Sequence, residues 1–191
     1  TASAFAMALA LAGGAAGVTA GLPGAAQAQE YSEAFVTSYN QVKAVSDAGG
    51  DMSAARPLIP AMVAAIVYPD EKQAAGNILL VVGQNLRDVS LQRQGIELML
   101  ASGKIPPEAQ GQYYYYVGNF ALQMEDYAGG REALRQALSR NYMPAQAATD
   151  PALDPRTQIL QSYFLQEDFA GLKQYAGELV SAAPAGTAVP E

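Results

Sequence analysis

The sequence predicts an all-α fold of antiparallel helical hairpins stacked as a short α-solenoid, and three observations predict it. Apolar residues recur at i, i+3, i+4, i+7 in paired stretches through most of the chain. The members of each pair are separated by Arg87-Asp88, Glu125-Asp126 or Glu167-Asp168, breaks too short for anything but a tight antiparallel turn. No sustained period-two stretch with β-branched enrichment marks a strand. An irregular helical bundle is the alternative. Stacking is favoured because no single hairpin here buries both of its apolar stripes, so neighbours must cover them.

The chain opens on a segment unlike the rest. Thr1 to Gln29 holds twelve alanines and no charged residue. Its apolar run, Ala4 to Val18, leads through Gly21-Leu22-Pro23-Gly24 to Ala26-Gln27-Ala28, the small-x-small pattern that a signal peptidase reads. Residues 1–28 are therefore expected to be an export signal whose basic start lies upstream. The rest is then periplasmic or secreted and meets a membrane only transiently. A retained anchor is the competing reading, but Ala and Gly bring little transfer free energy and Pro23 closes the window.

Residues 29–180 divide into four expected hairpins. In 30–66, Tyr31, Phe35, Tyr39, Val42 and Val45 form one stripe that Gly49-Gly50 ends; a second helix runs from about Asp51 toward Ile66, kinked or delayed by Pro57 and Pro60. In 70–103, Ile78, Leu79, Val82 and Leu86 mark one helix, and Leu91, Gly95, Leu98 and Met99 its partner. In 107–142 the stripes are Tyr114, Val117, Phe120 and Met124, then Tyr127, Gly130, Leu134, Ala137 and Leu138. After a loop over 145–151, Asp154-Pro155 supplies an N-cap and a first-turn proline for 154–182, whose stripes are Ile159, Leu160 and Tyr163, then Phe169, Leu172, Ala176 and Leu179. Residues 183–191, small and Pro-containing, read as a linker or tail.

Val82-Gly83 and Val117-Gly118 recur 35 residues apart, close to the period of a helical-hairpin repeat. The stretch from Gly111 to Pro144 resembles a tetratricopeptide repeat: Tyr114 stands at the large aromatic position, Val117-Gly118 at the Leu-Gly pair and Asp126-Tyr127 at the turn. Leu134 and Ala137 stand at the second-helix packing positions, while Gly130 replaces the family's alanine. Asp168-Phe169 repeats the turn in the last unit. The resemblance implies a superhelix whose concave wall holds a polypeptide. By its register that wall receives Asn77, Leu80, Gln84 and Arg87, then Tyr115, Asn119, Leu122 and Gln123, then Asp154, Thr157, Gln161 and Phe164. Amides there can pair with peptide N–H and C=O groups, and a tyrosine ring adds contact area at small entropy cost. Arg87 is the one cation among these positions, so the carboxylate clamp of some family members is not reproduced.

Composition narrows the function further. The chain has 191 residues, 50% hydrophobic, with a net charge of −7 and neither Cys nor His. The missing types remove thiol and imidazole catalysis and nearly every zinc, haem or iron–sulfur site, so no cofactor and no metal are expected. The acidic balance argues against nucleic acid. Glu125-Asp126 and Glu167-Asp168 fit capping better than acid–base catalysis, and Asp47 with Asp51 falls short of a calcium loop. Tyr113 to Tyr116 cannot all face inward, because successive helical residues turn by about 100°. The expectation is a non-catalytic scaffold of the bacterial envelope that binds a protein or peptide. An accessory module of a larger enzyme and a self-associating module are the alternatives.

Overall fold

The computed structural model describes residues 31–182. The expected signal at 1–28 and tail at 183–191 lie outside the described residues. Among the described residues there are eight α-helices and no strand: α1 (Glu33–Ala48), α2 (Ile59–Ala64), α3 (Pro69–Asn85), α4 (Val89–Ala101), α5 (Pro107–Gln123), α6 (Tyr127–Ser139), α7 (Pro155–Leu165) and α8 (Phe169–Ala182). Helices α3 and α4, α5 and α6, and α7 and α8 pair as hairpins; α4 against α5 and α6 against α7 join them into a stack. The fold is all-α, as expected, and none of these helices is long and apolar enough to cross a membrane.

One turn recurs three times, and the first unit has a variant of it with two left-handed glycines, Gly49 and Gly50. The first helix of each unit ends at Ala48, Asn85, Gln123 or Leu165, always three residues before an aspartate, Asp51, Asp88, Asp126 or Asp168. The residue before each aspartate is left-handed: Gly50 (φ 85°), Arg87 (52°), Glu125 (60°) and Glu167 (56°). That conformation costs a non-glycine residue about 1–2 kcal/mol. Two bonds offset it in the last three turns. The aspartate N–H donates to the carbonyl five residues back, Asp88 to Gly83 at 2.8 Å, Asp126 to Ala121 at 2.9 Å and Asp168 to Tyr163 at 3.0 Å. Each carboxylate then caps the next helix, accepting from the N–H of Leu91, Gly129 or Gly171 at 3.1, 3.0 and 2.8 Å.

Several expectations need correction. Arg87 is the exposed left-handed residue of its turn and stands on no helical wall, because α3 stops at Asn85. Gly83 does not match Gly118. Aligned on Asp88 and Asp126, Gly118 corresponds to Leu80, and the two glycines meet different partners. A Cβ on Gly118 would stand 2.7 Å from Leu134 Cγ, one on Gly83 2.8 Å from the Gln92 nitrogen. The second element of the first unit is a 3₁₀ stretch, Met52–Leu58, followed by the six-residue α2; Pro57 and Pro60 lack the donors a continuous helix needs. The loop after α6 carries two 3₁₀ turns, Ala145–Ala148 and Pro151–Leu153. Asp154 and Pro155 open α7 as expected, and Gly49 (φ 67°) ends α1.

The core runs the length of the stack. Phe35, Val42, Met62 and Leu79 fill the first unit; Leu80, Ile96, Val117 and Phe120 join α3, α4 and α5; Leu134, Ile159 and Tyr175 join the last two units. α3 buries eight residues, whereas α8 buries Tyr175 alone. Of the four consecutive tyrosines none is fully exposed: Tyr115 is buried, and Tyr113, Tyr114 and Tyr116 are half-buried between the flanking helices.

Candidate functional site

Turn alignment fixes which side chains of the first helices correspond. Asn77, Tyr115 and Thr157 share one register position, Val81, Asn119 and Gln161 the next, and Gln84, Leu122 and Phe164 a third. Asn77, Val81 and Gln84 are exposed on one face of α3; Gln161 and Phe164 are exposed on α7, with Thr157 half-buried. Gln123 is exposed at the end of α5, one position beyond Leu122. The outer rows are thus accessible and the middle row is partly covered.

Tyr115 is the reason. Expected on an open wall, its ring is 2% exposed, and its hydroxyl donates to the Leu153 carbonyl at 3.0 Å. The long connection between α6 and α7 folds back over this end of α5, and Tyr142 adds its ring at 5.5 Å. Burial pushes the Tyr115 hydroxyl above its ordinary pKa, and pushes that of Tyr142 to about 12. Tyr115 is therefore a core residue. Asn119 donates to the Tyr115 carbonyl at 2.8 Å and accepts from Gln158 at 3.0 Å. The bond from Gln158 ties α7 to α5, so Asn119 helps hold the stack together and has less freedom to meet a ligand. Gln158 Oε1 is buried without a partner.

A second pattern escaped the sequence reading. In every unit a cation follows the cap aspartate by five residues: Asp51 and Arg56, Asp88 and Arg93, Asp126 and Arg131, Asp168 and Lys173. Each arginine reaches forward to the next turn. Arg56 pairs with Asp88 at 2.5 Å and Arg93 with Asp126 at 2.7 Å. Arg131 departs slightly, donating to Gln166 Oε1 at 2.6 Å and lying 4.1 Å above the Tyr163 ring. The Gly129 N–H, and then Arg93, hold the Asp126 carboxyl below the usual carboxylate range. The fourfold Asp-x4-Arg/Lys spacing was readable as a repeat signal.

The second helices leave grooves between them. One of about 560 Å³ lies between α4 and α6, rimmed by Arg93, Glu97, Glu132 and Gln136 and floored by Val117 and Tyr114. Tyr114 thus borders this groove, with Arg140 4.3 Å above its ring. Another of about 500 Å³, lined by Ile59, Pro60, Val63 and Leu91, lies between α2 and α4. Among the described residues no group of three or more Asp or Glu side chains is placed to hold a metal ion. No family model matches this chain, and neither does any curated protein or solved structure.

Proposed function

We propose that this chain is a tetratricopeptide-like repeat protein, exported to the bacterial envelope, that holds a partner polypeptide along its first helices without catalysing a reaction. The observation that carries the reading is the hairpin turn repeated at Asp88, Asp126 and Asp168, each met by an arginine from the preceding unit. A chain that invests in register between units presents side chains at regular intervals along one face. The accessible members of that face are Asn77, Val81 and Gln84 on α3, Gln123 on α5, and Gln161 and Phe164 on α7. Exposed amides can pair with peptide groups, and Val81 (45% exposed) and Phe164 (60% exposed) offer apolar anchors between them. The absence of Cys and His leaves Asp, Glu, Lys, Ser, Thr and Tyr to supply any chemistry, and the cap aspartates are already engaged in turns.

Affinity capture from a bacterial envelope extract, compared between the parent and a Val81→Glu, Gln161→Ala double variant, tests the proposal. Both positions are exposed, so the variant should fold with an unchanged circular-dichroism spectrum. A specific partner should be retained by the parent and reduced at least tenfold by the variant. Equal capture by the folded variant would remove this face from the account.

A further inference from the structure

The turn between α7 and α8 departs from the turns at Asp88 and Asp126 in what it exposes. At four residues before, three before and one after the cap aspartate, the turn at Asp88 carries Gln84, Asn85 and Val89, and the turn at Asp126 carries Leu122, Gln123 and Tyr127. Those side chains are either polar and exposed or half-buried. Around Asp168 the same positions hold Phe164, Leu165 and Phe169, which are 60%, 56% and 59% exposed. The Phe164 and Phe169 rings meet edge to face with centroids 6.3 Å apart, so the apolar patch bridges the turn. We propose that this turn docks a partner polypeptide through a lysine or arginine flanked by large apolar side chains.

The charges at the turn select that occupant. Arg56 and Arg93 pair with Asp88 and Asp126, and both aspartates are half-buried. Arg131, their counterpart, donates to Gln166 and lies over the Tyr163 ring instead. Asp168 is exposed, and its carboxylate accepts from the Gly171 N–H at 2.8 Å. Among the described residues no ion pair reaches Asp168 or the exposed Glu167 beside it. Lys173, the first cation along α8, stands more than a helical turn beyond Asp168. Two carboxylates without a counter-charge thus border three exposed apolar side chains.

Clustered exposed apolar side chains mark a place of contact, and these carboxylates decide between classes of occupant. Two copies of the patch meeting about a two-fold axis would set the acids of one against those of the other. The negative surface of an anionic bilayer would repel them as well. A cation on a polypeptide fits both features. Its methylene stem can lie along the phenylalanine rings while its head meets Glu167 and Asp168, and its apolar neighbours cover Phe164 and Leu165. The proposal rests on the polypeptide-holding face described above, to which Phe164 belongs, and names the chemistry of what that face holds at α7.

Fluorescence anisotropy of the full chain with three labelled peptides of equal length tests the proposal. Their centres are Leu-Lys-Leu, Leu-Glu-Leu and Ser-Lys-Ser in the same Gly/Ser flanks. The Leu-Lys-Leu peptide should bind at least tenfold more tightly than either of the others. A Phe164→Gln, Leu165→Gln double variant, polar at both positions, should weaken it at least tenfold with helicity unchanged. A Glu167→Gln, Asp168→Asn double variant, which keeps a capping side chain but loses both charges, should weaken it several-fold and reduce its salt dependence. Equal binding of the three peptides overturns the proposal, and so does Leu-Lys-Leu binding that either double variant leaves unmoved. Envelope capture separates this proposal from the reading it rests on. Capture lost by the Phe164→Gln, Leu165→Gln variant but kept by the Val81→Glu, Gln161→Ala variant supports docking at the turn and removes the longer face. The reverse pattern overturns docking at the turn and leaves the face standing.

Discussion

Glu71 is fully buried in the first turn of α3 and holds three backbone donors, which makes Glu71→Gln a sharp test of how the first unit is fastened. One carboxylate oxygen accepts from the Ser32 N–H at 2.5 Å; the other accepts from Val67 at 2.5 Å and Tyr68 at 2.8 Å. The start of α1 is thereby bound to the loop that opens α3. Glutamine has the same shape but one acceptor oxygen, so it satisfies one side and turns an NH₂ group toward the donors on the other. Leaving a buried donor unpaired costs about 1–3 kcal/mol, and that is the expected loss. Urea unfolding at neutral pH measures it.

The same side chain makes stability depend on pH. Burial pushes the Glu71 carboxyl up, but the bonds from Ser32, Val67 and Tyr68 outweigh it and hold the group below the usual carboxylate range. Its contribution is fully present above the unfolded value of about 4.3 and is lost as pH falls through the lower folded value. Glu71→Gln should therefore flatten the acid limb of the stability curve as well as lower its plateau. A loss of less than about 1 kcal/mol at neutral pH, or an unchanged acid limb, would refute the reasoning.

Other perturbations probe the stack itself. Gly118→Ala should cost about 1–3 kcal/mol in thermal or urea unfolding, since the new methyl would stand 2.7 Å from Leu134 Cγ and 3.2 Å from the Gly130 carbonyl. Tyr115→Phe removes the bond to Leu153 and should lower stability by about 1 kcal/mol while leaving partner capture intact, because the ring lies in the core. A double-mutant cycle of Arg93→Ala with Asp126→Asn, which keeps a capping side chain, should give a coupling of about 0.5–1 kcal/mol that shrinks with added salt.

Much of this architecture is visible in local sequence, and what escaped it has physical reasons. Glu125-Asp126 reads as a hairpin turn because two polar residues interrupt two apolar stripes, and the structure adds the left-handed Glu125 and the capping Asp126. Asp154-Pro155 reads as a helix start from capping chemistry alone. Gly83 and Gly118 mislead because a recurring Val-Gly pair suggests one register, whereas the cap aspartates, 38 residues apart, impose another. Tyr115 could not be placed by helical register, since what buries it is a connection outside the repeat, ending at Leu153. Glu71 looks from sequence like any acidic residue in a first helical turn, and its role depends on Ser32, 39 positions away.

Residue-resolved amide hydrogen exchange at the hairpin turns tests the central claim, a single turn repeated in register along the stack, most directly. The account predicts that the Asp88, Asp126 and Asp168 amides are protected although they lie outside the helices, because each donates to a carbonyl five residues back, Gly83, Ala121 or Tyr163. Exchange at the free rate at any one of these three amides would contradict it.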